Sequence, residues 1–151
     1  DYFPLMYQIN MEAMEYSAQK WCDSIFDAAQ KIEDMNERLY FIINEFAFGT
    51  DKHAGSLSCY IDVWGMIRNM PTDCYATDKR IKIMLSKIYE MYVNMFLSLF
   101  ESVVREEMLV RAWLLVVISD GLHIQNLLDN TRLDRAKIVE SLCNLLMCEN
   151  I

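Results

Sequence analysis

The sequence predicts an all-α fold, a domain of six helices, and three observations lead to this prediction. The 151 residues include only four Gly and two Pro, whereas turn-rich β folds need many more of both. Hydrophobic residues make up 54% of the chain, so one domain of this size can bury a sizeable core. Apolar residues also recur at steps of three to five over long stretches, which is typical of amphipathic helices.

The first three helices are predicted from apolar stripes and from the residues that stop them. The first helix is expected over about residues 4–31 and the second over about residues 35–48. Gly49 follows directly and ends the second helix. The third helix is expected over about residues 54–70, and Pro71 closes it because a proline disfavours helical backbone at the residue before it.

The last three helices are expected over about residues 78–104, 106–128 and 134–148. Asp134 is the expected N-cap of the sixth helix. No Gly, Pro or Asn separates the fourth helix from the fifth. A fused helix would have about 50 residues, which is far longer than the helices of compact domains. We therefore expect a break near Val104 to Glu106.

The charge of the chain limits its partners. The formal net charge is −8, and phosphate binding needs a basic surface, so the chain by itself is not expected to bind nucleic acid or anionic membranes. It contains no signal peptide and no uncharged run of about 18 residues, which excludes export and membrane spanning. We expect a cytoplasmic protein.

Little in the sequence favours metal binding or catalysis. The five cysteines are odd in number and form no CxxC pair, so they are interpreted as reduced cytosolic thiols. Only two histidines are present, and no nucleophile elbow or glycine-rich phosphate loop occurs. We predict no metal, no cofactor and no enzymatic activity. The alternative is a small helical enzyme, which would require a bound metal or cofactor.

The fifth and sixth helices carry more apolar surface than one subunit covers. Residues 113–118 are apolar all around the fifth helix, and the sixth has apolar residues on two faces, which predicts a homodimer through a four-helix bundle, two helices from each subunit. Gly121 would let two helices cross closely, and Asp120 and His123 lie three apart and can pair with each other or across the two-fold axis. The alternative is a kink at Gly121 with Asp120 in solvent. The predicted interface residues are Val117, Asp120, Gly121, His123, Ile124, Leu127, Leu128, Val139, Leu142 and Leu146.

Aromatic residues and methionines on the third to fifth helices predict a pocket for a small apolar or amphipathic molecule. Glu45 or Glu90 would supply a counter-charge if that molecule were cationic. The alternative is ordinary core packing, since aromatic stripes at helical spacing usually form core. The predicted ligand-binding residues are Tyr60, Trp64, Met84, Tyr89, Tyr92, Met95, Phe96 and Trp113.

Four stretches of the chain resemble one known family. They are "DYFP" at 1–4, "YIDVWGMIRNM" at 60–70, "DKRIKIMLSKIYEMYVNMFLSLF" at 78–100 and "RAWLLVVISDGLHIQNLLD" at 111–129. Together they resemble the C-terminal ligand-binding and dimerisation domain of TetR/AcrR-family transcriptional regulators. The Asp-Gly-Leu at the end of the last apolar run is the most specific part of this resemblance.

The resemblance implies a one-component regulator. It implies an Ω-shaped homodimer through the fifth and sixth helices and a small effector held inside the first five. Residues 1–4 would be the end of an upstream helix-turn-helix domain, and residues 5–151 the effector-binding and dimerisation domain. DNA would be bound only through that upstream domain, which we expect to have been removed because Asp1 is not an initiator. The alternative is a stand-alone helical interaction protein whose apolar helices bind a different partner.

Overall fold

The structure is a computed structural model that describes residues 3–49, 75–100, 105–129 and 131–146. Within these ranges it contains α-helices and no β-strand, which confirms the all-α prediction. The predicted third helix lies outside the described residues. The five described helices are α1 (Phe3–Ala29), α2 (Met35–Phe48), α3 (Tyr75–Leu99), α4 (Arg105–Leu128) and α5 (Arg135–Leu146).

Local capping sets the ends of α2 where the sequence predicts them. The Asp34 carboxylate accepts a hydrogen bond of 2.8 Å from the backbone N–H of Glu37, which satisfies one of the free donors of the first turn. Gly49 follows the last residue of the helix, and its N–H donates to the Glu45 carbonyl. Its φ of −68° is open to any residue, so Gly49 does not act here as a left-handed cap.

The predicted break between the fourth and fifth helices is confirmed, although α3 ends earlier than expected. It ends at Leu99, and α4 begins at Arg105. No glycine or proline marks this end. Instead the Arg38 guanidinium, from α2, donates a hydrogen bond of 3.1 Å to the Leu99 carbonyl. A partner from another helix therefore satisfies one of the carbonyls that a helix end leaves free.

Four helices pack in a closed ring. α1 lies along α3, α3 along α4, α4 along α2, and α2 against α1, while α5 packs on α2. α1 and α3 run in the same direction, because Glu15 pairs with Lys87 and Trp21 contacts Tyr92 further along both helices. This ring places one face of each of the four helices toward a common interior.

The core follows this ring. One large cluster includes Ile42 and Ile43 of α2, Phe96 of α3 and Leu115 of α4, each almost fully buried. A smaller cluster joins α1 to the first half of α3. Its buried members are Met14, Ala18, Ile81, Met84, Leu85 and Ile88.

The structure corrects the expectation for the last helix. Val139, Leu142 and Leu146 were assigned to a dimer interface because the predicted sixth helix has two apolar faces. In α5 they are 1%, 7% and 2% exposed and belong to the large core cluster. α2 is the helix that packs on α5, so the subunit itself buries these three side chains. Leu145, on the other face, remains 60% exposed.

The N-cap prediction for this helix is confirmed. The Asp134 carboxylate accepts a hydrogen bond of 3.2 Å from the backbone N–H of Lys137, and α5 begins at the next residue, Arg135. None of the described helices combines the length and the hydropathy that a membrane span requires.

Candidate functional site

Three aromatic rings meet in the interior of the helix ring. Trp21 of α1 contacts Phe46 of α2 edge to face, with 5.0 Å between ring centroids. Tyr92 of α3 contacts Trp21 at 5.3 Å and Phe46 at 6.0 Å, again edge to face. Such geometry places the positive edge of one ring against the negative face of another. Phe46 is buried, whereas Trp21 and Tyr92 are half-buried.

A hydrogen bond extends this group to α4. The hydroxyl of Tyr89, on α3, donates a hydrogen bond of 2.8 Å to Asp120 Oδ2. Tyr89 also contacts Tyr92, with 6.4 Å between centroids. Each helix of the ring therefore contributes to one group of side chains, which we call the polar–aromatic cluster. Its members are Trp21, Phe46, Tyr89, Tyr92 and Asp120.

The inner face of α4 changes from apolar to polar along its length. Met108, Ala112 and Leu115 are buried in its first half. In the second half, Asp120, His123 and Asn126 follow at steps of three, and all three are half-buried. We call these three residues the polar row. Since helical residues three apart lie on neighbouring positions of one face, the polar row continues from the polar–aromatic cluster along α4.

The polar row is incompletely hydrogen-bonded. His123 Nε2 and Asn126 Oδ1 are buried and have no hydrogen-bond partner among the residues that the structure describes. Burial of a polar atom without a partner costs about 1–3 kcal/mol, and such atoms in a folded protein need an explanation. The Asp120 carboxylate has Tyr89 as its hydrogen-bond donor among the described residues.

Burial shifts the pKa values of Asp120 and His123 in opposite directions. It raises the pKa of Asp120, and the Tyr89 hydrogen bond lowers that pKa by a smaller amount. Burial lowers the pKa of His123. Desolvation disfavours the charged form of each group, so burial favours the neutral imidazole of His123 and makes the charged form of Asp120 less favourable.

The structure brings together two of the eight predicted ligand-binding residues, Tyr89 and Tyr92. Met84, Met95 and Phe96 are 7% exposed or less and pack in the core clusters, which agrees with the alternative of ordinary core packing. Tyr60 and Trp64 lie outside the described residues. Trp113 is 40% exposed and lies away from the buried face of α4.

Two further members of the cluster, Trp21 and Phe46, are not among the predicted ligand-binding residues. The helical period shows which face of α1 and α2 is buried but not which rings from other helices that face meets. The predicted counter-charges do not join the cluster. Glu90 is exposed, and the Glu45 carboxylate lies beside Gly49. Asp120 is the carboxylate that contacts these rings.

The outer face of α4 carries a continuous apolar stripe. Its residues alternate steps of four and three, which is the spacing that keeps one side of a helix facing a partner helix. Val117 is 64% exposed, Leu128 75% and Val110 60%. We call this stripe the α4 seam. Its members are Val110, Leu114, Val117, Gly121, Ile124 and Leu128.

Four of the predicted interface residues, Val117, Gly121, Ile124 and Leu128, lie on the α4 seam. A Cβ atom added at Gly121 would meet no atom within 4 Å, so no described neighbour inside the subunit requires a glycine there. The side chain of Leu127 lies outside the described ones.

Asp120 and His123, by contrast, point toward the subunit's own interior, where Asp120 accepts from Tyr89. Across the described part of the chain, no hydrogen bond joins Asp120 to His123 within the subunit.

Comparison with known proteins adds no assignment. No family model, no curated protein and no solved structure matches this chain.

Within the described ranges, no group of three or more His, Cys, Asp or Glu side chains is arranged to hold a metal ion. The geometry of α4 is therefore the main evidence about function.

Proposed function

We propose that the chain is the effector-binding and dimerisation domain of a TetR-like transcriptional regulator. A small molecule binds inside each subunit, a second copy of the chain covers the α4 seam, and an upstream helix-turn-helix domain binds DNA. One observation carries the proposal: α4 has an exposed apolar stripe on one face and a polar row with unsatisfied atoms on the other.

The α4 seam supports the dimer. Monomeric proteins rarely leave a long contiguous apolar stripe in water, and a rim of polar residues around such a stripe marks an interface. A two-fold axis would set the seam of one subunit against the same residues of its partner. Gly121, near the middle of the exposed stripe, offers the space that two helix backbones need to cross closely.

The interior of the subunit supports a bound effector. Small-molecule sites combine apolar and aromatic walls with a few polar groups that fix orientation. The polar–aromatic cluster supplies four rings and a carboxylate, and the polar row adds two buried atoms that lack partners. A ligand in contact with these groups would satisfy them.

The position of both features on α4 supplies a mechanism. A ligand that fits one orientation of the inner face of α4 favours that orientation of the whole helix. The same helix forms the subunit interface, so the relative position of the two subunits shifts with it. Two recognition helices must meet successive major grooves of the operator, and a change in their spacing therefore shifts the population away from the DNA-bound form.

Native mass spectrometry of the purified chain tests this proposal directly. We expect a dimer, at twice the subunit mass of 17.8 kDa, and additional mass from a small molecule carried through purification. A monomer at all concentrations, with no small molecule bound, would contradict the proposal. A monomer that captures a different protein through the α4 seam would instead favour the stand-alone interaction protein.

A further inference from the structure

The charge of Asp120 has no counterpart in the described part of the chain. Its donor there is the neutral Tyr89 hydroxyl. Lys87, Arg111, Arg132 and Lys137 form ion pairs with carboxylates other than Asp120. A partly buried carboxylate costs free energy unless a cation or several donors compensate it.

The same end of α4 contains two buried polar atoms that have no hydrogen-bond partner among the described residues. A carboxylate and an amide oxygen can only accept hydrogen bonds, and Asn126 Oδ1 is buried without a donor. His123 Nε2 is also buried without a partner. A molecule bound here gains most if it carries N–H groups and a positive charge.

The rings beside Asp120 suit the rest of such a molecule. Trp21 and Tyr92 are half-buried and offer edges and faces to an apolar or aromatic body. Aromatic faces also attract cations, most strongly where water is excluded. The aromatic rings and the Asp120 carboxylate, which no described cation contacts, are contiguous through Tyr89, whose ring lies 6.4 Å from that of Tyr92.

We propose that the effector is a small organic cation, a protonated amine on an aromatic or apolar body, whose ammonium group binds Asp120 and the polar row. This inference rests on the proposed effector site and names its ligand class. The ammonium group donates to the Asp120 carboxylate, and the body packs against the rings of Trp21 and Tyr92.

Three compounds of nearly equal shape test the class on the unaltered chain: phenethylamine, 2-phenylethanol and phenylacetate, each titrated calorimetrically at pH 7. We expect the amine to bind at least about tenfold more tightly than the alcohol, because hydrogen bonds to charged groups are about twice as strong as neutral ones. The acid should bind most weakly. Equal affinities, tighter binding of the alcohol or the acid, or no heat from the amine at millimolar concentration would overturn the proposal.

Substitution of Asp120 tests whether the amine binds at this carboxylate. Asp120→Asn keeps the size of the side chain and an acceptor for Tyr89 but removes the charge. We expect it to reduce amine affinity at least about tenfold and to leave alcohol affinity unchanged. Asp129→Asn is the matched control and should leave both affinities unchanged, since Asp129, a half-buried residue on the turn after α4, already pairs with Arg132. Undiminished amine binding by Asp120→Asn would overturn the assignment.

Native mass spectrometry, which shows whether each sample is a monomer or a dimer, distinguishes a failure of this inference from a failure of the proposed function. A dimer that binds no amine in preference to the alcohol would overturn the cation class alone. A monomer that binds the amine through Asp120 would support the cation site and contradict the dimeric regulator. The comparison of ligands uses the unaltered chain, so it stands even if Asp120→Asn proves unfolded by circular dichroism.

Discussion

The Tyr89 hydroxyl donates a hydrogen bond of 2.8 Å to the Asp120 carboxylate and so joins α3 to α4 at the polar–aromatic cluster. Tyr89→Phe removes the donor and leaves a partly buried charge without it. We expect the free energy of unfolding to fall by about 1–3 kcal/mol at pH 7, measured by urea denaturation. Tyr40→Phe is the control, because Tyr40 is an exposed tyrosine of α2 and should change stability by less than about 0.5 kcal/mol.

A double-mutant cycle tests whether that loss belongs to this pair. The Tyr89→Phe, Asp120→Ala and double variants should show a coupling energy of about 1 kcal/mol or more, as contacting residues in one network do. Additive effects would mean that the hydrogen bond contributes nothing to stability.

His123 makes stability depend on pH in the acid range. Burial lowers its pKa below the ordinary value of 6.5, so the unfolded chain binds more protons between the two values. The free energy of unfolding must therefore fall as the pH drops through 6.5, by up to about 1.4 kcal/mol per pH unit. We expect His123→Gln to flatten this slope between pH 7.5 and pH 5.5 in denaturation curves. An identical slope in both proteins would show that His123 is protonated equally well in the folded state.

Arg38 holds two chain segments to α2. Its Nε and Nη2 donate to the Ile32 carbonyl, at 2.9 and 2.6 Å, and its Nη1 donates to the Leu99 carbonyl at 3.1 Å. Arg38→Met should lower the free energy of unfolding by about 2–3 kcal/mol, since charged hydrogen bonds are among the stronger ones.

Arg132→Met is the matched control for Arg38. Arg132 makes an ion pair with Asp129 at 2.8 Å on the surface, where its side chain is 78% exposed. Surface pairs contribute at most about 1 kcal/mol. Equal losses in the two variants would contradict a special role for Arg38.

The two described cysteines should resist alkylation. Burial, and secondarily the nearby Asp23 charge, raises the pKa of Cys22 to about 12, and burial raises the pKa of Cys143. The thiolate is the reactive form, so iodoacetamide at pH 8 should modify both sites slowly in the folded protein and quickly in urea. Peptide mapping by mass spectrometry gives the rate at each site. Rapid modification of Cys22 without urea would contradict its burial.

Substitutions at Gly121 should affect dimerisation without affecting the folding of the subunit. Nothing inside the subunit lies within 4 Å of an added Cβ, and alanine favours a helix over glycine by about 1 kcal/mol. Gly121→Ala should therefore leave the subunit folded. Gly121→Leu should also leave it folded but weaken the dimer, because the larger side chain holds two crossing helices apart. Unchanged dissociation of Gly121→Leu in sedimentation would remove Gly121 from the interface.

Features set by nearby residues were predictable from the sequence, and features set by distant ones were not. The bounds of α2 and the cap at Asp134 follow from side chains within a few positions. At the end of α3, the Leu99 carbonyl accepts a hydrogen bond from Arg38, about sixty residues away, and no glycine or proline marks this end in the sequence. The apolar period likewise places Trp21 and Phe46 on the inward faces of α1 and α2, but only the packing of four helices brings them to Tyr92 and Asp120.

The contrast between nearby and distant residues also explains why only some of the predicted interface residues are exposed. The surplus of apolar residues on the last two helices was visible in the sequence. Which of them the subunit covers depends on α2, which packs over Val139 and Leu146. No helix covers Val117 or Leu128 to a comparable extent, since both remain more than 60% exposed.

Sedimentation equilibrium of the unaltered chain, Val117→Asp and Ile83→Asp tests most directly whether a second copy covers the α4 seam. Ile83, 49% exposed on α3, is an equally apolar surface residue away from the seam. We predict a dimer for the unaltered chain and for Ile83→Asp, and a monomer with intact helical content for Val117→Asp. A monomeric unaltered chain at high concentration, or a Val117→Asp dimer as stable as that of Ile83→Asp, would contradict the account.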